Sequence, residues 1–509
     1  MAVGKQADVQ PTKAQLRMAR GKWADKNSHH HRRKWCLDRE EAAPRFELGV
    51  KDLQSSALPL GHAATLRSRL LAAKPISRRM TAPRLLVLSN GHGEDLIALR
   101  VLEALHRLRP ELRVSVLPLV GLGGAFDAAE AAGWLRRVGR RQPLPSGGFS
   151  NQSLGGLLRD LAAGLPLLTV QQLRLVRRWG RGGDPVLAVG DLLPLLLAWV
   201  GGGRFGFIGT PKSDFTWCST PPTGWGSSAL ADGYHRCKDS EWDPWEWALM
   251  GSRRCRLLAV RDRLTARGLR RHGLTALAPG NPMMDGFEPR ALPAHLRGRR
   301  RLLLLPGSRL PEALSNLRRL LDALPASLPA GSPPWTLLLA TGSHPDVREL
   351  GPVLEAARFQ PCSPTPSLKA TAAWQRGELE LQLGPGRFAA WAGWAELGLA
   401  TAGTASEQLV GLGVPALSLP GPGPQFKAGF ARRQSRLLGG AVQPCHSSGE
   451  LGQRLLELLA DPRERQRLGR RGRLRMGPAG GSDRLAALIS SRLLGEAAQH
   501  GAESADGQG

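Results

Sequence analysis

The chain has 509 residues, 42% of them hydrophobic and 22% charged, and a formal net charge of +28. That length exceeds a single core, so two or three domains are expected. The charge is compatible with nucleic acid, an anionic membrane or a phosphate-rich ligand, and Arg-rich codon usage explains the excess equally well. No basic block interleaved with stacking aromatics occurs, and no zinc-finger or RNA-recognition signature, so a nucleic-acid partner is not expected. Six cysteines without a C-x-x-C pair argue against a disulfide framework or structural zinc and for a reducing, cytoplasmic compartment.

Residues 1–79 carry 17 basic against 7 acidic residues with neither helical nor strand periodicity. They read as a disordered or mis-assigned extension, with the functional protein starting near Met80. Loss of folding or activity on deleting them would refute that. From Pro83 the pattern becomes repetitive. Arg84–Ser89 is a short apolar run, Asn90-Gly-His-Gly-Glu94 a Gly-rich turn, and Asp95–Leu108 has apolar residues at helical spacing. Strand, loop, helix is the opening of a Rossmann-like unit. Further strands are predicted at 113–120, 186–190, 204–209 and 257–261, alternating with helical stretches such as Leu154–Arg178, so the sheet is expected to be parallel. Pro185–Val200 is the most apolar stretch, but Asp191 and Pro194 make it a buried strand and a helix start rather than a membrane span.

The same opening recurs at Arg301–Leu305, Pro306–Arg309 and a helix from Pro311 to Leu324, followed by strands at 336–340, 378–383, 397–400 and 416–419. Two doubly wound sheets in tandem are the economical reading. The N-terminal domain is placed at 80–290, with a Trp-rich insertion at 214–247, and the C-terminal domain at 291–498. The Pro- and Arg-rich segment 281–300 serves as hinge. Residues 499–509 read as a disordered tail. Ligands of such sheets bind beyond the carboxyl ends of the strands, so a cleft between domains is expected.

Three loops carry candidate chemistry. In Leu305-Pro-Gly-Ser-Arg-Leu-Pro-Glu312, Gly307 and Ser308 admit a close ligand, and Arg309 offers a planar cation to phosphate oxygens. An ordinary strand–helix turn with an outward Arg fits the segment equally well. In Ala400-Thr-Ala-Gly-Thr-Ala-Ser-Glu407, the amides near Gly403 and Thr404 suit a diphosphate, and Glu407 suits the two ribose hydroxyls. A plain capping box from Thr404 to Glu407 is the rival. The loop Gly421-Pro-Gly-Pro-Gln-Phe426 adds backbone donors and Gln425. In the first loop, His92, Glu94 or Asp95 offers a proton acceptor for a hydroxyl-bearing acceptor substrate. Asp191, after a buried strand, either joins that chemistry or caps the next helix. The tryptophans of 217–247 line an acceptor pocket, stack on a sugar, meet a membrane, or form a satellite core. The Leu-rich stretch ending in Arg174, Arg177 and Arg178 lies on an anionic membrane or packs as a helix. No D-x-D pair, H-E-x-x-H or P-loop is present, so no metal is expected.

Together Ser89–Asp95, Val189–Asp191, Gly280–Asp285, Leu305–Glu312 and Thr401–Glu407 resemble the lipid-A-disaccharide synthase family, more closely its divergent branch of lipid-A-disaccharide synthase-related proteins, over about residues 83–495. The resemblance implies a GT-B fold: α/β, with two Rossmann-like domains facing across a cleft. It also implies transfer of a glucosamine derivative from a UDP donor to a lipid acceptor, with the protein peripheral on the inner face of a membrane. It further implies donor binding by Gly307, Ser308, Arg309, Glu312, Gly403, Thr404 and Glu407, and a base at Asp191. The first loop departs from the family's wording, Ala402 replaces a Ser, Glu407 comes one residue early, and the Trp-rich insertion has no counterpart in the true synthases.

The expectation is therefore a metal-independent, inverting hexosyltransferase that needs no cofactor beyond its UDP-sugar co-substrate, with Asp191, His92 or Asp95 as catalytic groups. A UDP-sugar 2-epimerase and a non-catalytic nucleotide-sugar-binding protein are the alternatives.

Overall fold

A computed structural model describes residues 82–140, 165–226, 229–401, 403–421 and 426–495. The expectations for 1–79, 499–509, Gln425 and the first part of Leu154–Arg178 lie outside the described residues.

The strands in chain order are β1 (Arg84–Ser89), β2 (Arg113–Pro118), β3 (Leu135–Arg137), β4 (Val186–Gly190), β5 (Phe205–Gly209), β6 (Cys255–Val260), β7 (Arg300–Leu305), β8 (Trp335–Thr341), β9 (Gln360–Cys362), β10 (Ala372–Arg376), β11 (Leu379–Pro385), β12 (Leu397–Ala400), β13 (Ala416–Ser418) and β14 (Val442–Pro444). Among the described residues they form two sheets. The first runs β3-β2-β1-β4-β5-β6 with every pairing parallel. The second runs β14-β13-β12-β7-β8-β11-β10-β9, parallel from β14 to β11, with β10 and β9 antiparallel at the edge. Its parallel part, β11-β8-β7-β12-β13-β14, repeats the strand order of the first sheet. The α/β class with two Rossmann-like units of GT-B type, expected from the sequence, is the one observed.

Strands covered on both faces read as unbroken apolar runs. Leu85 to Leu88, Val186 to Val189 and Leu302 to Leu304 are accordingly buried along their whole length. In each sheet the strand order reverses at one place, between β1 and β4 and between β7 and β12. In sheets of this kind, such a reversal is where ligands bind, beyond the carboxyl ends of the strands. The predicted loops leave those strands: 90–95 and Asp191 on one side, 306–312 and 401–407 on the other.

From Pro83 onward the chain is one compact unit. The halves 80–290 and 291–498 hold one sheet each, but the helix Gly481–Leu488 of the second half packs on the helix His92–Leu108 of the first. Leu485, Ile489 and Val101 share a core cluster with the hinge residues Met283 and Met284. Arg107 pairs with Asp483 at 2.9 Å. Asp285 accepts from the backbone N–H groups of Gly480 (2.5 Å) and Ser482 (2.7 Å), which fastens the hinge to the start of the last helix. No described helix is long and apolar enough to cross a membrane.

The Trp-rich insertion folds over short helices, Phe215–Cys218, Ala229–Lys238 and Pro244–Met250. Trp242 is fully buried, edge-to-face with Phe207 at 5.7 Å. Trp217 and Trp225 are buried, whereas Trp245 is exposed. The insertion also reaches the second sheet's helices. Trp225 Nε1 donates to Pro444 O at 3.1 Å, and its ring stacks on His446. Arg436, in the helix Ala428–Leu437, grips Asp232 with Nη1 at 2.8 and 3.0 Å and donates to the carbonyls of Ser219 and Trp217. Satellite core, one of the four sequence readings, describes Trp217, Trp225 and Trp242, and a role in joining the two halves is added to it.

Candidate functional site

On the first sheet, the chain leaves β1 through Gly91, whose φ of +95° is the left-handed region that favours glycine. A Cβ there would also stand 3.0 Å from the Val120 carbonyl oxygen. The helix starts at His92, three residues before the predicted Asp95. The His92 side chain lies outside what is described. Asp95 turns inward and is buried, with the Ser89 hydroxyl donating to it at 2.5 Å. Burial raises its carboxyl, opposed by that bond and by the Gly91 N–H. Asp95 thus has a loop-fastening contact in place of an open face toward a substrate. Glu94 is partly buried at the crevice, where burial pushes its carboxyl up to about 7 and the charges of Asp191, Asp95 and Glu407 add to the rise. Asp191, at the end of β4, accepts from Leu193 N–H at 3.1 Å and caps the helix Leu192–Val200, so the capping alternative is realised. Its charge nevertheless reaches Glu94 through space.

On the second sheet, Gly307 has φ of +95°, and a Cβ there would meet nothing within 4 Å, which leaves open space above the loop after β7. Ser308 is exposed and Arg309 partly buried. Burial lowers the affinity of the Arg309 guanidinium for its proton, while Glu312 opposes that shift. The helix Thr404–Gly411 is capped by Gly403, with no side-chain cap, so the expected Thr404–Glu407 capping box does not form. Gly403 has no side chain to cap these amides, and the N-terminal end of a helix favours negative charge. Gln434 Nε2 donates to Gly403 O at 2.8 Å and holds the turn from behind.

The two edges meet. A Cβ on Gly93 would stand 3.5 Å from Thr404 Oγ1. Arg261, the residue after β6, donates from Nη2 to Glu407 Oε2 at 3.0 Å, and the two side chains are only 8% and 13% exposed. Glu94, Asp191 and Arg261 from one sheet and Thr404 and Glu407 from the other therefore share one locality. Arg309 leaves β7 and Glu407 follows β12, and these strands pair with Leu305 beside Ala400. Arg261 was passed over in the sequence as the end of a strand, since nothing in an apolar run marks which flanking cation faces a cleft. Among the described residues, no group of three His, Cys, Asp or Glu is placed to hold a metal.

No protein-family model matches the chain, and no curated protein matches it. Among solved structures it is similar to the S. aureus MnaA–UDP co-structure, with 13% identity, 81% of this chain and 97% of that chain covered, and a TM-score of 0.48. It is similar to Acinetobacter baumannii MurG, with 16% identity, 80% and 99% covered, and a TM-score of 0.46. It is also similar to the Neisseria meningitidis UDP-GlcNAc 2-epimerase bound to UDP-GlcNAc, with 12% identity, 81% and 99% covered, and a TM-score of 0.44.

Proposed function

We propose that the chain is a metal-independent, inverting hexosyltransferase that moves a sugar, an N-acetylglucosamine derivative, from a UDP donor to a lipid-linked or amphiphilic acceptor. We place this activity in the cytoplasm, peripheral on the inner face of a membrane. The observation that carries the reading is the meeting of an uncapped helix start bearing Glu407 with a carboxylate pair, Glu94 and Asp191, from the facing sheet.

The donor's diphosphate would lie on the Gly403 and Thr404 amides, with Gly307, Ser308 and Arg309 beside it and Glu312 balancing Arg309. Its ribose hydroxyls would donate to Glu407. Glu94 takes the proton from the acceptor hydroxyl, whose oxygen attacks the anomeric carbon. The bond from that carbon to the diphosphate oxygen breaks, and UDP leaves with the electron pair. The helix-start amides and Arg309 stabilise the departing charge. Asp191 stands beside Glu94 as a group that orients the hydroxyl, and Asp95 holds the loop. The test is incubation with UDP-N-acetylglucosamine and a panel of amphiphilic sugar acceptors. Acceptor-dependent UDP release with an inverted product supports the reading, and no release across the panel contradicts it. The carboxylate cluster also favours a second reading, since a 2-epimerase needs bases and no acceptor. Donor alone yielding an epimer would select it.

A further inference from the structure

We infer that Arg261 is a positioning residue that exchanges partners. It holds Glu407 in this structure and turns to the diphosphate of a nucleoside diphosphate when the ribose takes Glu407. This deepens the proposed function and rests on its reading of the cleft.

Three observations carry it. The Arg261–Glu407 pair is the ion pair in which the first sheet's edge reaches the very carboxylate expected to receive the ribose, and both side chains are nearly sealed from solvent. Arg261 occupies Oε2 of Glu407, so a ribose whose two hydroxyls take both carboxylate oxygens displaces that guanidinium, and a displaced, poorly hydrated cation must find another anion nearby. The second observation is spacing. Glu407 lies three residues beyond Thr404 in the helix Thr404–Gly411, which at 1.5 Å per residue is about 4.5 Å along the axis. An anion on the leading amides is therefore within the swing of an arginine side chain anchored at Glu407. The third is charge. Glu94, Asp95, Asp191 and Glu407 put four carboxyl groups in this locality. A diphosphate entering it needs a cation on the first-sheet side to match Arg309 on the other. Arg261 now has one short bond to a carboxylate, a 3.4 Å contact with Thr210 O and a 3.6 Å contact with Met476 Sδ. The five donors of its fork are suited to a bidentate phosphate grip that this arrangement does not use.

Calorimetric titration of the full chain and of Arg261→Ala with uridine, UMP and UDP separates exchange from a plain tie between lobes. The exchange predicts that Arg261→Ala weakens UDP at least tenfold while uridine binds as well as or better than before, because Glu407 is unmasked. Arg261→Lys, which keeps the charge without the fork, should recover part of the UDP affinity. A tie that only keeps the cleft closed predicts equal losses for uridine and UDP, and that result, or unchanged UDP binding, overturns the inference while leaving the proposed function standing. If the wild-type chain binds none of the three, both fall together. Should Arg261→Ala lose its melting transition, Arg261→Met and Arg261→Lys support the same comparison.

Discussion

Glu94 and Asp95 are neighbours in sequence with opposite fates. Successive residues of a helix point about 100° apart, so one carboxyl turns to the Ser89 hydroxyl and the other to the crevice. With its carboxyl raised to about 7, Glu94 is roughly half ionised at neutral pH, the condition for a general base. Turnover per unit donor should rise with pH and level off above about 7. Glu94→Gln should lower the plateau by roughly 10²–10⁴-fold, and a flat profile in the wild type would remove Glu94 from the chemistry. The same shift sets a stability trend. Below its ordinary 4.5 the group is protonated in both states. From 4.5 to about 7 the native state keeps a proton that the unfolded chain releases, so stability falls as pH rises through that window, by on the order of 3 kcal/mol. Glu94→Gln should flatten that slope in denaturant titrations at pH 5 and 8. Arg309→Ala should cost on the order of 2–4 kcal/mol of transition-state stabilisation, read from kcat/KM. Near-normal turnover would exclude it. The sequence marked this loop and the Arg309 loop by their glycines, but which carboxylate faces the crevice depends on burial, which only the packed sheets create.

Among the elements, the Trp-rich insertion shows what sequence pattern cannot supply. Its aromatic content was evident, yet its partners lie some 200 residues away. Asp232 meets Arg436 with side chains 9% and 5% exposed, and Glu241 meets Arg433 at 2.9 Å. Arg436 and Gln434 share the helix Ala428–Leu437, and Gln434 supports the Gly403 carbonyl, so the insertion is tied through one helix to the proposed diphosphate site. Removing one member of a buried pair leaves an uncompensated charge. Arg436→Ala should therefore destabilise the fold by about 3–5 kcal/mol in a denaturant titration. A change below about 1 kcal/mol would mean that the insertion does not hold the two halves together. The helix Thr404–Gly411 teaches the converse lesson. Its Thr and Glu three residues apart fit a capping box, but the chain turns into the helix one residue earlier, at Gly403, which has no side chain to cap it.

At the scale of the molecule, the two sheets were legible because strands buried on both faces carry unbroken apolar runs, as residues 85–88, 186–189, 302–305 and 337–340 do. The short strands β3, β9 and β14 and the antiparallel strand β10 were not, since three residues or a mixed run such as Ala372–Arg376 give too little pattern to read. The return of the helix Gly481–Leu488 to the first sheet was also hidden, because its anchors, Asp285, Arg107 and the core around Val101, lie some 200 to 400 residues earlier in the chain. What that assembly brings together is the Gly403–Glu407 helix start from one sheet and Glu94 and Asp191 from the other, the place proposed above for UDP and for the proton acceptor. Calorimetric titration of the full chain with UDP tests this most directly. The account predicts saturable binding of one UDP per chain, abolished or weakened at least tenfold by Glu407→Ala. Wild-type protein that takes up no UDP, or a Glu407→Ala variant that binds it unchanged, would contradict the account.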